Sequence, residues 1–364
     1  MNTERTLYLS DRFCAVEENG RLVEYIQENP EEKTGAILRG RVERIMASLQ
    51  CAFVDIGRKK SGFLPLRENS ETFRGKEIRS GDRVLVQIRK EEKGDKGAFL
   101  SRDLTLAGSG LLLMPMNRFI GVSARVSDEA QREALKRTGE ELLAEKGLHC
   151  GIVMRAAALS LSGEELREER DRLWERWEAT LLATEKAETG MVLQGNSIAE
   201  ELMNDYAPRG IARVDRSGSL PADLLRQLKE AQNRKIRLPH GGNIVIDPCE
   251  ALTVIDVNSA SDSHGGSRRQ TIVETNLEAC REIALQTRLR NLSGILILDL
   301  IDMDEAEDQD RVLQELSACF SEDRMKTVIH GMTRLGLVEM TRKRARAALA
   351  AAGTPESNGK GELQ

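Results

Sequence analysis

Two short apolar runs that each end in an acid hold the clearest chemical signal of this chain. They are LTVIDVNSA, from Leu252 to Ala260, and GILILDLIDMD, from Gly294 to Asp304. Leu252 to Ile255 and Ile295 to Leu298 are aliphatic or β-branched and too short for ordinary helices, so both read as buried strands. Side chains alternate along a strand, so Asp256 and Asn258 share a face, while Asp299 closes the second run. A carboxylate at the end of a buried strand costs free energy unless it is paired or holds a cation. Two such ends side by side would offer hard oxygen ligands to a magnesium ion that keeps several waters and meets a substrate phosphate. The other reading is two acids that cap the following loops, and the pattern alone leaves both open.

A second set of residues suits nucleic acid. From Gly35 to Leu106 the segments AILRGRVERI, CAFVDIG, SGFLPL and DRVLVQIRKE alternate or run apolar between glycine-containing turns, which predicts a five-stranded OB-type barrel. Alternation in AFVDIG puts Phe53 and Asp55 on one face, and Phe63 falls on a neighbouring strand with Arg58, Lys59 and Lys60 between them. Aromatics interleaved with bases make a stacking platform for a single strand. Each phenylalanine could equally serve the core.

Charge is uneven. The net charge is −5, which argues against a uniformly basic nucleic-acid binder. Yet Gly35 to Leu106 holds 16 Lys or Arg against 10 Asp or Glu, and Arg324 to Arg346 holds seven bases against Glu339 alone. Local basic fields can steer a polyanion, although each run also fits a solvated face.

The elements that must position these residues follow along the chain. LLLMPM predicts a strand, Ser127 to Leu143 a helix capped by Ser127, and HCGIVMRAAA a further strand. Ser162 to Thr184 reads as a long amphipathic helix, because Ser162 precedes Glu165 by three residues as in a capping box. Trp174 and Trp177 sit on its apolar stripe and read as packing. Asn196 to Pro239 predicts one or two helices, and NIVIDP leads into LTVID as a hairpin. A glycine-rich basic loop, Ser261 to Gln270, precedes a helix from Ile272 to Leu289 and could act as a lid. The segment after Arg346 is small, polar and low in complexity, which predicts a disordered tail.

Cys14, Cys51, Cys150, Cys249, Cys280 and Cys319 are scattered with no CxxC pair, and the four histidines are dispersed, so a zinc site is not expected. The N-terminus carries Glu4 and Arg5 and has no secretory pattern. No apolar run approaches the roughly 20 residues that cross a bilayer. A soluble, cytoplasmic protein is expected.

The ordered series GAILRGRVERI, CAFVDIGRKKSGFLPL, GDRVLVQIRKEEKGDKGAFL, LAGSGLLLMP, LPHGGNIVIDP, LTVIDVNSA, TNLEACREIALQTRLRNLSGILILDLIDMD and MTRLGLVEMTRKR resembles the ribonuclease E/G family of bacterial endoribonucleases. The similarity runs from Thr6 to Arg346. It implies that Asp256 and Asp299 bind the catalytic Mg2+ and that Asn258 holds that site in shape. It implies cleavage to 5′-phosphate and 3′-hydroxyl ends. Phe53, Phe63 and Lys96 match barrel residues that grip single-stranded RNA, whose sources would be ribosomal RNA precursors or mRNA. A pocket for the RNA 5′ monophosphate matches Gly108, Leu112, Arg155, Ala156 and Lys326. There Ala156 stands for a threonine donor and Lys326 for an arginine fork, so sensing is expected to be weakened.

Two departures stand out. The family's CPxCxG zinc link is absent after MTRKR, so a zinc-linked dimer is not expected, while another homo-oligomer is not excluded. The segment before Leu238 is shorter than usual. The expected architecture is an α+β multidomain chain. Residues 1–34 plus 191–240 form a reduced RNase H-like subdomain, and 35–106 the OB-type, S1-like barrel. Residues 107–190 form a 5′-sensor-like region, 241–350 a DNase I-like catalytic subdomain, and 351–364 the tail. The expected function is a magnesium-dependent endoribonuclease of RNA processing or decay. The alternative is a non-catalytic RNA- or ribosome-associated protein on the same fold. A phosphohydrolase of small nucleotides would have no use for the barrel platform.

Overall fold

The computed structural model describes residues 3–29, 33–66, 78–92, 95–259, 268–321, 323–343, 346, 348 and 349. The chain divides into two compact units, one formed by Met1–Glu28 with Ile211–Gln364 and the other by Asn29–Gly210.

The first unit begins with the meander β1 (Arg5–Leu9), β2 (Phe13–Glu18) and β3 (Arg21–Gln27). The chain then builds the whole second unit, which starts with β4 (Ile37–Met46), β5 (Cys51–Asp55), β6 (Gly62–Pro65), β7 (Arg83–Lys90) and β8 (Phe99–Ser101). These five strands close into a barrel, because β4 pairs with both β5 and β7. Val42, Ala52, Val54, Leu64, Val86, Ile88 and Leu100 fill its interior. Closure removes the exposed edges that a five-stranded sheet would otherwise present.

After the barrel come β9 (Leu106–Ala107), β10 (Leu111–Met114), β11 (Ile120–Val122), α1 (Glu129–Glu145), β12 (Gly151–Met154) and α2 (Gly163–Lys186). The strands form a sheet in the order β11-β12-β10-β9, and Leu135, Leu142, Leu166, Leu173 and Trp177 cover it from the helices. Trp174 and Trp177 therefore do pack. At α2 both hydrogen bonds of the Ser162–Glu165 capping box are present. At α1 the cap is Asp128 rather than Ser127, since the Asp128 carboxylate accepts from Gln131 N at 2.8 Å. A carboxylate one residue later closes the first turn equally well.

The unit ends with β13 (Gly190–Leu193) and α3 (Ile198–Tyr206). β13 adds to the outer edge of β4. Residues 191–210 fall in the same compact unit as the barrel, whereas residues from Ile211 onward group with Met1–Glu28. Backbone pairing to β4 decides their place, and pairing partners are invisible in a local pattern.

The chain returns to the first unit with β14 (Arg213–Asp215), which pairs in parallel with β1, and α4 (Ala222–Glu230). Leu224 and Leu228 of α4 pack on Tyr8, Ala15 and Leu22. The second sheet follows: β15 (Lys235–Arg237), β16 (Asn243–Pro248), β17 (Leu252–Asn258), α5 (Arg268–Leu289), β18 (Gly294–Asp299), α6 (Ala306–Ser321), β19 (Thr327–Met332) and β20 (Val338–Arg342). Its strand order is β15-β16-β17-β18-β20-β19. Helices α5 and α6 cover one face through Val273, Cys280, Ile283, Val312 and Leu316. The other face carries exposed side chains, including Ile295 at 47% exposure.

Ion pairs finish this unit. Arg342 of β20 donates to the Asp323 carboxylate at 2.7 and 3.1 Å, and both side chains are buried. Arg324 does the same for Glu24 at 2.6 Å. Two of the seven bases between Arg324 and Arg346 are thus spent internally, so that run is only partly a surface field. No helix among the described residues is long and apolar enough to cross a membrane. Cys14, Cys51, Cys150 and Cys280 are buried free thiols, and burial pushes the Cys14 and Cys150 thiols up to about 11. The predicted lid Ser261 to Gln270 lies outside the described residues up to 267, as does the predicted tail 351–364.

Candidate active site and nucleic-acid interface

The acid-tipped strands β17 and β18 are neighbours, and they form the parallel pair of a sheet whose other pairings are antiparallel. Helix α5 makes the crossover between them, as a parallel connection requires. Parallel strands end at the same edge, so the register sets Asp256 directly opposite Asp299. Neighbouring strands lie about 4.8 Å apart. Residues in register across a sheet point to the same face, and here that is the face the helices leave open: Asp256 is partly exposed, while Asn258 and Asp299 are exposed. Asn258 Nδ2 donates to Asp256 Oδ2 at 2.7 Å, which fixes one carboxylate oxygen.

The backbone beyond Asp299 is clamped from below. Asn276 of α5 is fully buried; it donates to Ile301 O at 2.9 Å and accepts from Ile301 N at 3.0 Å. Gln309 donates to Met303 O at 2.8 Å. A buried side chain that satisfies both backbone groups of one residue holds the strand end in a single conformation. Sequence reasoning missed Asn276. Its signal was a polar residue on the core stripe of a helix, between Val273 and Cys280.

Two acids, one of them with an oxygen held by an amide, fit one hard divalent cation. Among the described residues no cluster of three or more His, Cys, Asp or Glu could complete an all-protein cage. Magnesium tolerates that poverty, because it binds through one or two carboxylates and keeps water and substrate phosphate as its other ligands. Cations share the face. Lys235 pairs with Val245 and Val245 with Asp256, so one row across the sheet reads Lys235, Val245, Asp256, Asp299. The next row holds Arg237, Asn243 and Asn258. Both bases are exposed, two strands from Asp256 and three from Asp299, within reach of a polyanion crossing the edge.

In the other unit, Phe53 of β5 and Phe63 of β6 are directly opposed, with ring centroids 6.1 Å apart and planes at 79°. Each is half-buried while Ala52, Val54 and Leu64 between them fill the barrel. Lys96 is exposed just before β8. The β8 strand can come alongside β6 because residue 97 is glycine: a Cβ there would lie 2.0 Å from Ser61 O. Of the bases expected between the phenylalanines, Arg58 is tied to Glu91 at 2.7 Å, while Lys59 is exposed.

The 5′-phosphate candidates divide between the units. Gly108, Leu112, Arg155 and Ala156 surround the β9–β10–β12 edge. Arg155 donates to Gly108 O and, at 2.5 Å, to Asp205 Oδ1, so its guanidinium already holds an anion. Glycine at 108 lets the Glu169 carboxylate approach the backbone, since a Cβ there would lie 2.3 Å from Glu169 Oε1. The buried Glu169 accepts from the backbone amides of Ser109, Gly110 (2.8 Å) and Leu111 (3.0 Å). Lys326 is exposed beside β19 of the first unit.

Comparison with known proteins agrees with this anatomy. Residues 105–218 and 221–345 match the model of the ribonuclease E/G family, and residues 31–103 match that of the S1 RNA binding domain. The chain is 33% identical to ribonuclease G of Escherichia coli over 362 residues, covering 86% of this chain and 73% of that protein. Identity to ribonuclease G of Haemophilus influenzae is 34% over the same shares. Identity to ribonuclease E of Escherichia coli is 35%, covering 92% of this chain but 36% of that longer protein.

Proposed function

The chain belongs to the ribonuclease E/G family and is an endoribonuclease of that type, and from this premise we propose that it is a magnesium-dependent enzyme cleaving single-stranded RNA to 5′-phosphate and 3′-hydroxyl ends. The carrying observation is the register of Asp256 against Asp299 on parallel strands, with Asn258 holding an Asp256 oxygen. Asp256 and Asp299 would hold the cation. When bound, magnesium supplies Lewis-acid polarisation of the phosphodiester and a more acidic water.

The protein's own groups do the rest. Asn258 keeps Asp256 oriented, and Asn276 keeps the Asp299 strand end from shifting, so the carboxylates need not reorganise when the substrate arrives. Lys235 and Arg237 neutralise phosphates of the strand that crosses the edge. Phe53 and Phe63 offer faces on which bases stack, and Lys96 a charge for the backbone. Such a surface selects unpaired RNA, since a paired base presents no free face. The substrates are ribosomal RNA precursors or mRNA in the cytoplasm. Sensing of a 5′ monophosphate is weak, because Ala156 offers no hydroxyl and Arg155 is engaged by Asp205.

The test is an end-labelled single-stranded RNA incubated with magnesium, with chelator, and with the Asp299→Asn protein. Cleavage in the first reaction and none in the others is the expected result. RNA binding without cleavage in all three would replace the enzyme by an RNA-binding protein on the same fold.

A further inference from the structure

The row of rings on the barrel does not stop at Phe63. Phe63 is in register with Phe99 of β8, their centroids 5.7 Å apart and planes at 32°. On the far side, Phe99 is in register with Lys90 of β7, and Phe53 with Arg44 of β4. One line across the barrel surface therefore reads Arg44, Phe53, Phe63, Phe99, Lys90. The Arg44 guanidinium lies 5.0 Å from the Phe53 centroid, and Lys90 Nζ lies 5.8 Å from that of Phe99.

Core packing does not call for this line. The barrel interior is filled by the alternate residues, among them Leu64, Ala98 and Leu100. The chain has seven phenylalanines in all, and three of them stand side by side on one half-exposed face. Solvated aromatic surface of this kind is kept for a ligand with flat faces of its own.

Resting on the RNA-binding reading above, we propose that Phe99 is a third stacking position, so that this face holds three successive bases, with Arg44 and Lys90 contacting phosphates at its two ends. The centroid spacings of 6.1 and 5.7 Å allow consecutive bases of an extended strand each to meet a ring. Stacking on an aromatic ring tolerates any base, so the third position lengthens the grip without adding sequence preference.

The experiment is fluorescence anisotropy of a labelled oligouridine of about ten nucleotides with the full chain, in chelator so that no cleavage occurs. Phe99→Ala and Phe99→Leu are each expected to weaken Kd by about 5- to 150-fold, the range that one stacked base supplies. Phe99→Tyr should bind like the unmodified chain. Leucine fills the space but has no π face, so restoration of binding by Phe99→Leu would overturn the proposal. So would a Phe99→Ala affinity within about twofold of the parent while Phe53→Ala binds weakly, which would leave the RNA-binding reading standing. An unmodified chain that binds no RNA would end both. Lys90→Gln should lower the slope of log affinity against log salt by about 0.7, the amount for one phosphate contact on a single strand.

Discussion

The acid edge of β17–β18 and the aromatic line of the barrel are built on opposite plans. At the edge, two like charges are held one strand apart by parallel register, a hydrogen bond from Asn258 and a peptide clamp from Asn276. On the barrel, neutral rings are held by the antiparallel pairing of β5 with β6, the parallel pairing of β6 with β8 and the closure of β4 on β7. A site proposed to hold a cation brings like charges together and needs rigidity to keep them from relaxing apart. A site that grips bases needs only shape and exposure. The difference teaches that chemistry and grip are separable here, so substitutions should sort cleanly between them.

The largest effect tests the separation at its chemical end. Asp299→Asn should slow cleavage by roughly a thousandfold, the scale of losing one preorganised electrostatic partner of the transition state. RNA affinity measured in chelator should be unchanged. A variant that loses affinity as much as rate would merge the two sites into one.

The next concerns what holds the acid-bearing sheet. Asp323→Ala strands the buried Arg342 and should cost about 3–5 kcal/mol. Hydrogen exchange should show lost protection in β18, β19 and β20 with the barrel strands unaffected. Burial pushes the Asp323 carboxyl up, but the Arg342 guanidinium and the Met325 amide outweigh it and hold it below the usual carboxylate range. A carboxyl depressed by folding stabilises fully above its unfolded pKa of about 3.9, and that stability is lost as pH falls through the folded value. Denaturant midpoints measured downward from pH 5 should therefore fall more steeply for the parent than for Asp323→Ala.

At the gripping end, Phe53→Ala should weaken binding by about 5- to 150-fold. The rate at saturating RNA should move far less, so kcat/KM falls through KM; a fall in kcat of equal size would show that the rings also place the scissile bond. The smallest expected difference is that between two substrates of the parent chain, at the Arg155 edge. Cleavage of 5′-monophosphate and 5′-hydroxyl RNA should run at nearly equal rates, and Ala156→Thr should raise the preference for the monophosphate. One regained donor to an anion is worth about 1.5–3 kcal/mol at most. A strong preference in the parent chain would mean that Arg155 exchanges Asp205 for the RNA phosphate.

Much of this was legible in the chain itself. Aliphatic runs ending in Asp256 and Asp299, the alternation around Phe53, and the Ser162–Glu165 spacing are local patterns, and local sterics and hydrogen bonding decide them. The Arg58, Lys59 and Lys60 cluster was legible as charge, yet Glu91 takes Arg58 out of it. The tertiary structure alone decided who faces whom: Asp256 opposite Asp299, Phe99 beside Phe63, β13 on β4, Asp205 on Arg155 and Asp323 beneath Arg342. Such pairings join residues far apart along the chain, and their free energy depends on register and burial. Neither exists until the strands have met.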